Sequence, residues 1–397
     1  MKKIALVLAS LVSVSLASDI EDIQKSMMIN YIEHTQNIQT IHKENVDIIR
    51  QNALYYTNIV KSAQKYYSGF VAKEWGDKNI KLSSQKSFTQ YSNNMKEREN
   101  IDFEKGVVTL EIVTELDENT SVEYFNKKLE VLQKESAEQA LKKDPVASLS
   151  LKYMQKKKII EKPVDVKPKQ DLLLQDMVEK KKIKPEQIKE KVITLKDGKK
   201  KKIVSVEIPM VPNHLKKRAA RYKSDVRKMG KKYRVLPSYV FGTLQTESYF
   251  NPLAVSHVPA YGLMQIVPTT AGVDAYEALY GKKKVVSPPY LYDPANNIKM
   301  GTKYIQIIRE RYLRGVKNEE SLDYCTATAY NAGIGSLYRS FTGSKRSRKA
   351  AIAKINSMTP DEVYLHLRTS SKLTKEARNY VKRVRDHRAN FKSWDTL

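Results

Sequence analysis

One cysteine in 397 residues, Cys325, leaves no partner for an intrachain disulfide, so stability must come from packing even in an oxidising compartment. It lies in the apolar, helical-looking stretch LDYCTATAYNAG and reads as a small buried filler, not a nucleophile. The six histidines, His34, His42, His214, His257, His366 and His387, show no ligand spacing, which with a lone cysteine argues against a zinc site, and no metal is expected. No glycine-rich phosphate loop of the P-loop or dinucleotide type appears, and no cofactor is expected. Long apolar runs are scarce as well: the one at residues 4–16 is shorter than the roughly 20 residues that a membrane-spanning helix needs, and no later stretch qualifies. Acidic residues are outnumbered, 44 against 71 lysines and arginines, for a net charge of +27.

The opening MKKIALVLASLVSVSLAS has basic Lys2 and Lys3, the apolar run, and a small-residue end at Ala17 and Ser18, the grammar of a secretory signal over residues 1–18. A strongly basic chain implies an anionic partner. An exported protein rarely meets nucleic acid, whereas the bacterial wall and outer-membrane surface are rich in carboxylates and phosphates. Electrostatic association with that envelope is therefore expected, and no nucleic-acid partner; a solvated basic surface without a specific partner is the alternative.

Hydrophobic residues make up 41% of the chain, enough for a substantial core and two or three domains. From Asp19 to about Tyr67, apolar residues such as Ile41, Val46, Ile49 and Leu54 recur near helical spacing. Alternation then appears in IDFEKGVVTLEIV, with a turn at Glu104-Lys105-Gly106. Residues 156–191 are lysine-rich and broken by Pro163, Pro168 and Pro185, the composition of a mobile or loosely packed connector. VITLKDGKKKKIVSVEIPM gives two β-rich runs about Asp197-Gly198, a hairpin belonging with the earlier strands. Beyond about Val211 the texture is helical, and Ile298, Gly301, Ile305, Ile308 and Tyr312 form one apolar stripe that Gly315 ends. The fold class is α+β: a mixed N-terminal domain over residues 19–208, with the connector inside it, and a mostly helical domain over 209–397.

FGTLQTESYFNP, residues 241–252, sets Glu247 inside an apolar run. A glutamate there sits either on a solvated helix face or half-buried with a raised pKa, able to donate a proton near neutrality. Three more motifs follow: AYGLMQIVPTTA, TAYNAG at Tyr330, and EARNYVKRV at Tyr380. Each alone is an ordinary loop or helix end. In this order the set resembles the lytic transglycosylases of the soluble-Slt type, with a goose-lysozyme-like catalytic domain. It resembles more closely the membrane-bound lytic murein transglycosylase C group, because IPMVPNHLKKRAARY leads into ESYFNPLAVSHVPAYGLMQIVPTTAG and then LYDPANNIKMGTKYI. The resemblance covers about Val206 to Trp394.

That resemblance implies cleavage of peptidoglycan glycan strands between N-acetylmuramic acid and N-acetylglucosamine without water. Glycosidic cleavage ordinarily uses two carboxyl groups, yet no second acid accompanies Glu247 in its motif; Asp274 and Glu277 follow the Gln265 segment and are placed on the surface. A single-acid route fits the family, with Glu247 acting first as acid and then as base. It must be protonated at rest, hence in an apolar pocket for which Phe241, Leu244 and Met264 are candidate walls. By the same resemblance Ser248 helps to build the acid's surroundings, Ser256, Met264 and Gln265 line the sugar groove, Tyr330 and Asn331 contact the glycan, and Tyr380 hydrogen-bonds Glu247. Gly262 and Gly333 are expected at tight backbone approaches. Singly, Tyr380 and Met264 read as core, Ser248 as a helix-surface hydroxyl and Asn331 as a helix terminator.

The alternatives are a muramidase that uses water on the same fold and a non-catalytic wall-binding or secretion-assembly scaffold; a nucleic-acid binder rests on charge alone. One departure stands out. Where the family's signal ends in a lipid-modified cysteine, this chain has Asp19, which leads to the expectation of a periplasmic protein without a lipid anchor at that site.

Overall fold

The computed structural model describes residues 51, 54–92, 94–156, 172–179, 182–343 and 347–396. The signal and most of the helical stretch expected before Tyr67 lie outside them. Residues 55–397 form one compact unit.

Five antiparallel strands make one sheet: β1 (Ser87–Tyr91), β2 (Glu97–Asp102), β3 (Val107–Thr114), β4 (Ile188–Thr194) and β5 (Lys200–Pro209), in the order β1-β2-β3-β5-β4. The β4–β5 hairpin is as expected, and β5 aligns on β3 with Leu110 opposite Val206 and Val108 opposite Ile208. Because side chains alternate along a strand, this register sorts the sheet into two buried faces. On one, Phe88, Ile101, Val108, Leu110, Val204 and Val206 join Phe125, Leu129 and Leu132 of helix α2 (Val122–Gln133). On the other, Tyr91, Val113, Ile193 and Ile203 pack against Val71 and Trp75 of α1, a helix running through residues 55–75.

The second face also buries a charge. Arg98 is 1% exposed. Its Nε donates to Glu111 (2.7 Å), its Nη1 donates to the Asn79 carbonyl (2.7 Å), and its guanidinium lies 3.9 Å over the Trp75 ring. Burial works to raise the Glu111 pKa, but the Arg98 hydrogen bond and the charges of Arg98 and Lys81 outweigh it and hold the carboxyl below its ordinary range.

Helices α3 (Ala137–Lys143) and α4 (Pro145–Lys156) precede the lysine-rich segment. Within that segment, Leu173, Leu174, Met177, Val178 and Ile183 are buried in the main core. The strand β5 then leads into α5 (His214–Arg221), α6 (Lys223–Tyr233) and α7 (Pro237–Ser248). Every residue of α7 from Ser238 to Ser248 is buried, which makes it the axis of the helical region. Proline opens it at a position where the missing N–H is no loss, and Asp395 from near the other chain end accepts from the Ser238 N–H (2.7 Å) and hydroxyl (2.6 Å).

Around α7 lie α8 (Ala271–Tyr280), α9 (Pro288–Tyr292), α10 (Pro294–Ile307), α11 (Glu319–Ala332), α12 (Ile334–Thr342), α13 (Arg348–Asn356), α14 (Pro360–Thr369) and α15 (Lys375–Ala389). The stripe of α10 is buried at Ile298, Gly301 and Ile305, and a π turn, Ile308–Tyr312, continues it. Cys325 is buried as expected. Helix α15 lies directly on α7: a Cβ at Gly242 would stand 2.9 Å from the Arg388 backbone nitrogen, so only glycine allows this approach.

Replacing Arg98 by methionine strands the Glu111 carboxylate in the sheet with only Lys81 as a counter-charge. Such a loss costs about 3–5 kcal/mol. Urea unfolding of the variant should show that deficit at pH 7, and it should shrink at a pH low enough to protonate Glu111.

Candidate active site

Helix α7 ends one residue after Glu247, and the way it ends sets the site. Tyr249 and Phe250 both adopt left-handed backbone angles, φ 50° and 62°, at a cost of about 1–2 kcal/mol each. The two together reverse the chain just past the acid, and Asn251-Pro252 prevents the helix from resuming. The loop therefore returns along the helix that carries Glu247. Ser248, wholly buried, spends its hydroxyl on the Leu263 carbonyl (2.8 Å) and the Leu244 carbonyl (3.2 Å), tying loop to helix.

A residue that the motifs did not point to fixes the rest of this loop. Asn297 of α10 is wholly buried; its Nδ2 donates to the carbonyls of Tyr261 (2.8 Å) and Leu291 (2.7 Å), while its Oδ1 accepts from the Met264 N–H (2.8 Å). Its amide is used at both ends, as a buried polar group requires. Gly262 (φ 72°) lies in the grip of this clamp, since a Cβ there would be 2.3 Å from the Leu291 carbonyl and 2.4 Å from Asn297 Nδ2. Gly333 also has positive φ, 79°, but no atom crowds it, so conformation and not close approach selects glycine there.

Glu247 is 9% exposed. Burial pushes its pKa from an ordinary 4.5 to about 7, against the Tyr380 hydrogen bond and the Arg383 charge, which lower it, and with the Glu376 charge, which raises it. Tyr380 of α15, also buried, donates its hydroxyl to Glu247 Oε1 at 2.6 Å. Tyr330 of α11 donates to the Met264 carbonyl (2.8 Å), and the charge of Glu247 acts on it. The ends of α7 and α11, the second turn of α15 and the returning loop thus meet around one carboxyl group. Its arrangement suits a proton donor near neutral pH that a phenol holds in one rotamer.

The other expected residues fall in different places. Met264 is wholly buried, its sulfur against Gly301, and so is packing in this arrangement. Gln265 has φ 48°; its Nε2 donates to the Gly262 carbonyl (3.0 Å), and its buried Oε1 has no partner among the described residues. Asn331 donates to Glu376 Oε1 over 3.4 Å, linking α11 to α15. Ser256 spends its hydroxyl within its own turn, on the Val258 carbonyl and the Ala260 N–H. Phe241, a candidate wall of the acid, instead joins an aromatic cluster with Phe250, Phe391 and Trp394, because six residues along a helix turn it to another side. Asp274 and Glu277 are half-buried, not surface residues, and burial raises Asp274.

Residues 224–353 match the transglycosylase SLT domain. Residues 50–125 match the N-terminal domain of membrane-bound lytic murein transglycosylase C. Relatives described as membrane-bound lytic murein transglycosylase C include that of Serratia proteamaculans (strain 568), 45% identical over 190 residues, covering 48% of this chain and 52% of the relative. That of Haemophilus influenzae (strain PittGG) is 42% identical over 187 residues, covering 47% and 51%. The chain spans about half the length of the curated relatives it matches. Among solved structures, the 70 kDa soluble lytic transglycosylase of Escherichia coli is 27% identical, covering 44% of this chain and 24% of that one, with a TM-score of 0.32. The SLT match falls on the helical region, with the sheet N-terminal to it, as the α+β reading expects.

The matches overturn the expected periplasmic placement without an anchor: both the N-terminal domain family and the relatives are described as membrane-bound. The inference failed because Asp19 speaks to acylation at one position and to no other means of attachment, and that position lies outside the described residues. No helix of the described residues is long and apolar enough to cross a membrane.

The raised Glu247 pKa has a stability consequence. Below pH 4.5 the carboxyl is protonated in folded and unfolded chains alike; between there and about 7 the folded chain keeps a proton that the unfolded chain releases, so stability falls as pH rises. Glu247→Gln should therefore be more stable than the unsubstituted protein at pH 8, by about 3 kcal/mol. The gain should vanish near pH 4.5, as denaturant titrations at both pH values will show.

Proposed function

We propose that this protein is a peptidoglycan lytic transglycosylase that cleaves between N-acetylmuramic acid and N-acetylglucosamine with Glu247 as the single acid and base. The observation that carries the proposal is a buried carboxyl group whose pKa is about 7, hydrogen-bonded to Tyr380 at 2.6 Å, in a segment that matches the SLT domain.

Protonated Glu247 gives its proton to the bridging oxygen, and the bond from that oxygen to the muramic anomeric carbon breaks. The muramic acid's own groups help to stabilise the cationic intermediate. Its hydroxymethyl oxygen attacks the anomeric carbon, and the Glu247 carboxylate takes that hydroxyl's proton, ending the cycle protonated as it began. The product is an anhydro sugar. Tyr380 and Arg383 both favour the ionised carboxyl, so they assist midway, when Glu247 carries its charge. In this proposal Tyr330, Asn331, Gln265 and Ser256 meet the glycan, while buried Ser248 and Met264 act by holding the loop. The segment before β1 lies near one side of the site, a reading supported by Lys86, which stands 4.8 Å over the Tyr249 ring.

A hydrolytic muramidase is the second reading, and Glu376 is its support as a further carboxylate whose charge reaches Glu247. Digests of glycan strands analysed by mass separate the two, since a hydrolysed end is heavier by one water. Anhydro products are expected from the unsubstituted protein and none from Glu247→Gln. The rate constant kcat/KM should fall about tenfold per pH unit above 7, as the acid loses its proton.

The net charge of +27 is proposed to add to retention on the anionic wall. Sedimentation with purified sacculi should weaken steadily across a salt series; binding indifferent to salt would count against it.

A further inference from the structure

Helix α15 presents Glu376, Tyr380 and Arg383 at spacings of four and three, and hence on one face. Tyr380 grips the acid from the middle of that row. On one side Glu376 is tied to Asn331. On the other, the Arg383 guanidinium lies 6.0 Å from the centre of the Tyr380 ring, its Nε is buried, and it forms no hydrogen bond or ion pair with the described residues. Its charge acts on Glu247, Tyr249, Glu104 and His387, which places it between the acid and the turn that joins β2 to β3. Glu104 does not serve as its counter-ion: Glu104 pairs with Lys86 at 2.6 Å. The other charges about this end are Arg218, which acts on Tyr249, and Asp386, which pairs with Lys382 and Arg385.

We infer that Arg383 is a specificity residue that receives a carboxylate of the substrate beside the scissile bond. The buried, unpaired Nε–H of half-buried Arg383 is costly unless an acceptor satisfies it, and the fork of an arginine matches a carboxylate. Resting on the proposed function, the inference names the source of that anion. The sugars of the strand offer few carboxylates outside the groups that bear peptide stems, so the group bound is a stem-peptide carboxylate. The nearby Arg218 favours the same sign of ligand, and Glu376 at the far end of the row disfavours it there. The strand is thereby given a direction along the cleft.

The test uses binding, so that it does not depend on turnover. Glu247→Gln and the double variant Glu247→Gln/Arg383→Gln are compared for affinity to stem-bearing sacculi and to the same sacculi with their stem carboxylates converted to amides. The double variant should lose on the order of tenfold or more on the untreated material and little on the amidated material. Arg383→Lys in the same background, which keeps the charge, should recover part of the loss, and matched unfolding midpoints would show that the fold is unchanged. An equal loss on both materials, or none on either, overturns the inference. Cleavage is read separately with the unsubstituted protein: stem-dependent binding without cleavage would sink the reaction and leave Arg383 as a carboxylate site.

Discussion

The hydrogen bond from Tyr380 to Glu247 is the constraint around which the helical region is organised. It joins two helices that touch only because Gly242 has no side chain, and it forms inside a core that shuts water away from the carboxyl. Burial and the phenol oppose each other: one disfavours the charged form of Glu247, the other favours it. Burial wins, but not by so much that the proton is lost to chemistry, and the balance falls near neutrality. A carboxyl buried equally well without the tyrosine would hold its proton more tightly and would be free to turn. One exposed to solvent would have no proton to give.

Several features of the surroundings are intelligible as costs of keeping the acid there. Two successive left-handed residues, a buried Gln265 oxygen without a partner and a buried Arg383 Nε without one among the described residues each disfavour the folded chain by about one to a few kcal/mol. What offsets them lies away from Glu247. The cluster of Phe241, Phe250, Phe391 and Trp394 anchors both α7 and the end of the chain, and Asp395 closes the start of α7. Asp323, meanwhile, pairs with Arg309 and Arg388 to bind the π turn after α10, α11 and α15 together. Arg309 is consequently a half-buried structural cation.

How far the sequence disclosed this site follows from the kind of interaction at each position. Glu247, Tyr330 and Tyr380 were legible because their motifs occur together and in order, and side-chain chemistry then gave each a role to test against geometry. Asn297 was not legible, since all three of its partners are backbone groups brought near by tertiary folding, and an asparagine early in a helix reads as a capping or surface residue. Arg383 stands among lysines and arginines that are solvated, with nothing local to mark it. Phe241 was misplaced for a periodic reason: apolar character said that it is buried but not toward which neighbour. In the N-terminal half, alternation and the Asp197-Gly198 turn revealed the strands and the hairpin. The pairing of β5 with β3 needed the register. The lysine-rich composition of 156–191 concealed the apolar residues Leu173, Leu174 and Met177 that enter the core.

The same difference between local and long-range signals bears on how the sheet and Glu247 are related. The Arg98–Glu111 pair holds one face of the sheet around a charge that could not be left unpaired, while the opposite face merges with the core beneath the helices. Between them, the turn joining β2 to β3 brings Glu104 to Lys86 and Tyr249, two residues past the acid. A shift of that turn would alter the charges seen by Arg383 and, through Arg383, those seen by Glu247, without any change at the carboxyl group itself. The sheet is therefore linked to Glu247 by Coulomb interactions through Arg383, and the strength of that link depends on how completely Lys86 neutralises Glu104. With the pair intact the carboxylate at position 104 is cancelled and Arg383 remains available to a ligand; with Lys86 withdrawn, Glu104 would compete for the same guanidinium and weaken its pull on Glu247.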